Sequence, residues 1–359
     1  MHLKQLSLTQ YKNITSKTFD FNPKINCFIG DNGVGKSNVL DAIYHLAFGK
    51  SYFNPLALQN IQIGTDFFVL QGRYQIQEKE EKIICSLKKG QKKTLKRNGK
   101  LYEKIADHIG LIPTVIISPA DHDLIAEGSA IRRKFIDGVI GQTDALYLQH
   151  ILEYNTVLSQ RNALLKYFAL NHTFDGDTLG IYNEQLTARS HPIYEKRVAF
   201  MKEFIPIFLA RYTSISDQKE PVSLTYESQL KNSDHNDLLS STLNRDKAIQ
   251  FTTTGTHKDD LHFSIHDQPI KKFGSQGQQK TFLVALKLAQ FDFLKAQTGA
   301  APILLLDDAF DKLDQKRVSQ IISLVDQNDF GQIFLTDTHE ERTLEALSKS
   351  QSTYEIFKL

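Results

Sequence analysis

Cysteine is scarce in this sequence: Cys27 and Cys85 are the only two among 359 residues. Two thiols cannot build a disulfide framework, and Cys27 lies in an apolar segment, so the chain reads as one suited to a reducing cytoplasm. Long hydrophobic runs are missing too. None approaches the ~20 residues that cross a bilayer, and the opening MHLKQLSLTQ lacks the charged-then-apolar layout of a signal peptide. No membrane partner is expected. Nor does one sign of charge dominate. Lys and Arg number 43 against 41 Asp and Glu, a net charge of +2, so bulk charge names no partner. Internal repeats and low-complexity segments are absent. The remaining composition, 41% hydrophobic and 23% charged, is that of a globular chain long enough for a large core in two lobes.

What is present is organised around residues 30–37, GDNGVGKS, which fit the phosphate-loop pattern G-x-x-x-x-G-K-[ST] at every fixed position. The apolar run INCFI precedes it as a buried strand. Val39, Ile43, Leu46 and Ala47 follow at helical spacing until Gly49 offers a stop. Gly30, Gly33 and Gly35 let backbone N–H groups face a phosphate. Lys36 can reach the β- and γ-phosphates, and the Ser37 hydroxyl can ligate Mg²⁺. Strand, loop and helix together predict a nucleoside triphosphate site.

Around this stretch the chain reads as α/β. Residues 3–21 alternate as a hairpin broken at Lys12 and Asn13, and strand-like runs continue over 67–70 and 83–85. A two-residue Asn98-Gly99 turn then predicts a second hairpin. It carries Lys88, Lys89, Lys92, Lys93, Lys96, Arg97, Lys100 and Lys104, opposed by Glu103. The cluster is either a ribbon that grips nucleic acid phosphates or an edge strand protected by lysines. From about 121 to 212 the pattern turns helical, with Tyr147, Ile151, Tyr154 and Leu158 on one face and Ile193, Val198, Ile205 and Leu209 on another. Strands return at 222–226 and 261–265, with a polar loop over 231–237. Ser275 and Gln278 have capping-box spacing ahead of a strongly apolar helix. ILLL at 303–306, without alternation, predicts a strand buried on both faces, ending in Asp307 and Asp308. A helix through Val318, Ile321, Ile322 and Val325, a strand at 333–336, a helix at 340–347 and a last strand complete the pattern. The expected organisation is an ATP-binding lobe over 1–120, a helical lobe over 121–220, and the rest of the head over 221–359.

Asp307 at a strand end can hold the hydration shell of Mg²⁺ opposite Ser37, and Asp308 can orient or deprotonate an attacking water. The Ser275 helix start suits an anion, although the chain's own loop already wraps a nucleotide.

SQGQQ, LLLDDAFDKLD (304–314) and GDNGVGKS together resemble the ABC-type ATPases of the SMC group. SPADHDLIAEGSAIRRKFID (118–137), YNTVLSQRNALLK (154–166), TTGTHKDDL (253–261) and FGSQGQQKTFLVALKLAQ resemble signatures of the RecF family in the same order. The resemblance implies an ABC-type head of mixed sheets around the phosphate loop, with an inserted, mainly helical second lobe. It implies ATP and Mg²⁺ as cofactors and assigns nucleotide binding to Lys12, Asn13, Gly30, Asn32, Gly33, Gly35, Lys36, Ser37 and Asn38. Ser37 and Asp307 become the metal residues, with Asp308 and Lys36 catalytic. Ser275, Gly277 and Gln278 become the signature that meets a second subunit's γ-phosphate, and Asp311 and Asp314 the dimer-contacting D-loop. The implied function is a slow, DNA-dependent ATPase of recombinational repair that dimerises with ATP on duplex DNA near single-strand gaps. RecR and RecO are the implied partners in helping RecA load.

The chain departs from the family pattern at Ala120, Ala130, Thr256 and Lys258, and at Phe53, where arginine is common. Arg132 and Arg133 match a family pair whose role in DNA, lobe or dimer contact stays open, and His339 lies past the expected sensor position. Two rivals share the ATP motifs. A transporter's nucleotide-binding subunit would not carry the QRNALLK and RRKFID stretches, and a chromosome-structuring SMC protein needs long heptad arrays.

Overall fold

The computed structural model describes residues 1–216, 220–308, 330–348 and 352–359. The expected Asp311 and Asp314 contacts, and the helix through Val318, lie outside the described residues. The chain divides into two compact units, Met1–His122 with Lys280–Leu359, and Asp123–Gln279. Residues 221–279, grouped on sequence with the C-terminal strands, therefore cluster with the helical residues.

The first unit holds two sheets. Strands β1 (His2–Tyr11), β2 (Ile14–Asp20), β4 (Phe67–Ile76), β5 (Lys79–Lys88), β6 (Thr94–Arg97) and β7 (Lys100–Leu101) form an antiparallel sheet in the order β2-β1-β4-β5-β6-β7. Asn98 and Gly99 both take positive φ, as the predicted two-residue turn between β6 and β7 requires. The second sheet is parallel, with β3 (Ile25–Ile29), β8 (Thr114–Ile117), β12 (Ile303–Leu306), β13 (Ile333–Asp337) and β14 (Tyr354–Lys358) in the order β14-β3-β13-β12-β8. Every residue of β3, β8, β12 and β13 is buried, which accounts for the apolar run of β12 and the mostly apolar character of the other three. Helix α1 (Lys36–Phe48) ends at Gly49, whose left-handed φ of 63° supplies the stop. Val39, Leu40, Ile43 and Leu46 on α1 are wholly buried in a core shared with Leu6, Leu8, Phe68, Phe28 and Leu305 of the two sheets. Each such side chain contributes roughly 1.5–3 kcal/mol of burial. The Gln332 amide stitches the sheets together, accepting from Leu3 N at 2.7 Å and donating to Leu3 O at 2.9 Å.

The second unit contains α2 (Asp123–Ala126), α3 (Ser129–Ile140), α4 (Ala145–Asn171), α5 (Gly176–Ile215), α6 (His235–Ser241), α7 (Leu243–Ile249) and α8 (Ile270–Phe273). A small antiparallel sheet joins β9 (Val222–Glu227), β10 (Asp260–Ile265) and β11 (Gln268–Pro269) in the order β11-β10-β9. The helix α9 (Gln276–Thr298) begins at the end of this unit, and α10 (Glu340–Leu347) belongs to the first.

Two expectations change here, and one open question gains a local answer. The α5 face predicted through Val198 and Leu209 is instead Ile193, Phe200, Phe204, Phe208 and Tyr212, while Val198 and Leu209 are exposed. Aromatic residues at a spacing of four outweigh the aliphatic set, and one helix runs through Pro192 and Pro206. Part of the polar stretch 231–237 opens helix α6 rather than remaining loop, because the Asp234 carboxylate caps it by accepting from Asn236 N at 2.8 Å. The family-like arginines, finally, find partners within the unit. Arg132 forks onto Asp260 at 2.8 and 2.9 Å, and Arg133 donates to Asp259 O at 2.6 Å. Arg197 reaches both Asp137 at 2.9 Å and Asp259 at 2.6 Å. These contacts knit RRKFID, α5 and TTGTHKDDL into one partly buried network.

Candidate nucleotide site

The phosphate loop is tied down from the β1–β2 turn. Asn13 Nδ2 donates to Gly33 O at 3.0 Å, and Asn38 Nδ2 donates to Asn13 Oδ1 at 2.8 Å. Gly35 has φ 113°, and a Cβ there would stand 2.9 Å from Asn13 Oδ1, so the clasp itself demands glycine. Lys36 Nζ donates to Gly30 O at 2.7 Å and Asp31 O at 2.9 Å, while Asn32 is exposed. The ammonium is thus held within its own loop.

Lys12, on the same turn, has its Nζ 2.6 Å from Asp41 Oδ2 and 5.4 Å from the Phe53 ring centre. Asp41 is wholly buried and also accepts from Tyr11 OH at 2.7 Å, Ser51 Oγ at 2.7 Å and Tyr52 N at 2.7 Å. Burial pushes the Asp41 carboxyl up, but the Lys12 ammonium and these donors outweigh it and hold the group below its usual range. The Phe53 ring lies over the Lys12 ammonium.

Opposite the loop stand the two acids. Leu335 on β13 pairs with Cys27 of β3 on one side and Leu306 of β12 on the other, so one strand separates the loop strand from the acid strand. Asp307, following β12, lies close enough to the Ser37 hydroxyl to feel its pull and accepts from Thr336 Oγ1 at 3.0 Å. Burial, reinforced by the Asp308 charge, pushes Asp307 up to about 6 despite both hydroxyls. A dication would relieve that penalty, and a hydroxyl beside a carboxylate is the hard-oxygen pair that Mg²⁺ takes, so these residues fit the ion. Asp308 follows with a left-handed φ of 48°, its amide donating to Thr336 Oγ1 at 2.8 Å. Thr336 went unnoticed in the sequence, where a threonine ending an apolar strand carries no signal of its own.

The signature segment is a reciprocal capping box: Ser275 N donates to Gln278 Oε1 at 2.6 Å, and Gln278 N to Ser275 Oγ at 3.2 Å. Gln278 Nε2 also donates to Glu220 at 2.7 Å, a partner not foreseen. Ser275 and Gly277 are exposed, and a Cβ on Gly277 would meet nothing nearer than Ser275 Oγ at 3.9 Å. The helix start is thus open to approach from outside.

The basic hairpin separates into two groups. Lys88, Lys92, Lys96 and Lys100 are exposed and Lys93 is half-buried. Lys89 pairs with Asp66 at 3.2 Å, and Arg97 forks onto Glu81 at 2.7 and 2.9 Å. Asp337 engages Arg342 at 2.6 Å and the Thr343 hydroxyl at 2.8 Å, and His339 is an exposed residue at the start of α10. No helix among the described residues is long and apolar enough to cross a membrane.

A phosphate loop between β3 and α1, a buried acid on the strand one removed from β3, and a flanking antiparallel sheet define a P-loop ATPase head of the ABC/SMC type. The model of the RecF/RecN/SMC N terminal domain family matches residues 2–358. The DNA replication and repair protein RecF of Flavobacterium johnsoniae is 60% identical over 100% of both chains. That of Phocaeicola vulgatus is 48% identical over 99% of this chain and 96% of its own. A solved structure of the recombination mediator protein RecF with ATPrS, in the RecFOR pathway, superposes with a TM-score of 0.88. It is 28% identical and covers 100% of this chain and 96% of that one. This chain belongs to the RecF family.

Proposed function

We propose that this protein is an ATP-dependent DNA-binding protein of recombinational repair. Its phosphate loop, through Gly30, Asn32, Gly33, Gly35, Lys36, Ser37 and Asn38, holds ATP, with Ser37 and Asp307 taking Mg²⁺. Bound there, the ion neutralises charge on the β- and γ-phosphates. Lys36 leaves the Gly30 and Asp31 carbonyls to bind phosphate oxygens, and Asp308 holds the attacking water and accepts its proton. An aspartate has one methylene fewer than the glutamate common in ABC ATPases, a reach that favours slow turnover.

The single observation that carries the dimeric reading is the exposed start of α9 at Ser275 and Gly277. With Gln278 they present a helix N-terminus suited to an anion, while the phosphate loop is the site assigned to the chain's own nucleotide. Two protomers related head to tail then share two ATP molecules, and hydrolysis releases them. The dimer closes on duplex DNA near single-strand gaps, with the exposed lysines of the β5–β7 ribbon as phosphate contacts. RecR and RecO follow as partners in RecA loading from the family alone.

Sedimentation velocity with ATP, Mg²⁺ and duplex DNA tests the reading. Wild type is expected to sediment as a dimer, and Lys36→Met and Ser275→Arg as monomers. An ATP-loaded wild type that remains a single particle on DNA sinks the shared-nucleotide mechanism.

A further inference from the structure

We propose that Thr336 is a positioning residue of this ATPase, one hydroxyl that sets both acids of the metal and water site. The proposal rests on reading that site as an ATPase centre. Thr336 is wholly buried in β13, beside β12. Its Oγ1 donates to Asp307 Oδ1 at 3.0 Å and accepts from the Asp308 amide at 2.8 Å. The directions are not interchangeable. An amide can only donate, so the hydroxyl's single proton goes to the carboxylate.

The geometry explains why both bonds matter. Consecutive residues of an extended strand point to opposite faces, so two adjacent acids cannot serve one site without a bend. Asp308 makes that bend with a φ of 48°, a conformation that non-glycine side chains rarely adopt. The bond from its amide to Thr336 fastens the bend to the neighbouring strand. The bond to Asp307 Oδ1 ties one carboxylate oxygen to the neighbouring strand and so restrains the rotamer of the group. A valine has the same shape and branching but neither bond, so it would leave the strand packed and both acids free to turn.

A buried threonine that merely satisfies a strand end would make the same hydrogen bonds. Kinetics separates the two roles. Thr336→Val should keep the wild-type KM for ATP within about twofold and lose roughly 10²-fold in kcat, the cost of a misplacement near 1 Å. Thr336→Ser, which keeps the hydroxyl, should restore most of the rate. Titration calorimetry supplies a readout apart from turnover. The Mg²⁺ concentration that half-saturates ATP binding should rise several-fold in the valine variant and return in the serine variant. If the valine protein fails to fold, Thr336→Ala removes the hydroxyl without its steric neighbourhood and carries the same test. Wild-type kcat and Mg²⁺ dependence in a folded hydroxyl-free variant overturns the proposal. A wild type that binds no ATP fells the ATPase reading first, and this inference with it.

Discussion

Arg161, in the stretch that resembles a family signature, offers the sharpest test of what that stretch is for. Its side chain and that of Asp246 are both fully buried, with Nη1 2.8 Å from Oδ2. The guanidinium also donates to Asn183 Oδ1 at 2.8 Å and Thr252 Oγ1 at 2.8 Å. Asp246 Oδ1 keeps two further donors, Thr253 N at 2.9 Å and Thr253 Oγ1 at 2.7 Å. Arg161→Ala therefore strands a carboxylate that retains hydrogen bonds but loses its counter-charge. Removing one partner of a buried pair costs about 3–5 kcal/mol. In a unit of this size each kcal/mol moves Tm by roughly 2–4 °C, so a loss of about 10 °C is expected. The chain forms two units, so scanning calorimetry is the suitable assay, and only the transition of the Asp123–Gln279 unit should move. Removing both charges, with Arg161→Met and Asp246→Asn, should recover a large part of the loss, because no uncompensated ion remains. ATP binding by the phosphate loop should persist in both variants. A Tm shift under about 2 °C in Arg161→Ala would refute the reasoning, since a buried ion would then tolerate losing its partner.

Three other outcomes follow from the structure. Lys92→Glu with Lys96→Glu should weaken duplex binding and flatten its salt dependence by about 0.9 for each phosphate no longer neutralised, read as the slope of log affinity against log salt. Arg97→Glu instead breaks the Glu81 fork and should lower Tm. Unchanged affinity and slope would remove the ribbon from the DNA model. Burial drives His45 down to about 3, against the pull of Asp41. The unfolded chain then takes a proton near its ordinary value of about 6.5 that the folded protein refuses. The stability is thus fully present above that value and lost as pH falls toward the folded one, by about 2 kcal/mol at pH ~5. Urea unfolding at both pH values should show the loss in wild type and a smaller loss in His45→Gln. Equal losses would clear His45 of the effect.

Local pattern was enough for every element whose residues carry their own instructions. INCFI before the glycines, the stop at Gly49, the Asn98-Gly99 turn and the Ser275–Gln278 box each depend on neighbours within a few positions. The family resemblance, too, lives in such stretches. What failed locally did so for a physical reason. The α6 helix is short and held by an Asp234 cap, and the α5 face belongs to aromatic residues that stack on one another, Phe200 on Phe204 among them, rather than to the aliphatic set.

The sequence by itself determined that this chain has a phosphate loop, a buried acidic strand end and a capped helix start, because backbone propensity and side-chain periodicity act at short range. Tertiary structure alone decided what meets what. Parallel pairing through β13 brings Asp307 to Ser37 and sets Thr336 beneath both acids. It also turns Lys12 onto Asp41 and Arg132 onto Asp260. Strand order and ion pairing are choices among distant partners, made by burial and charge only after the chain has collapsed, and no short window of residues contains them.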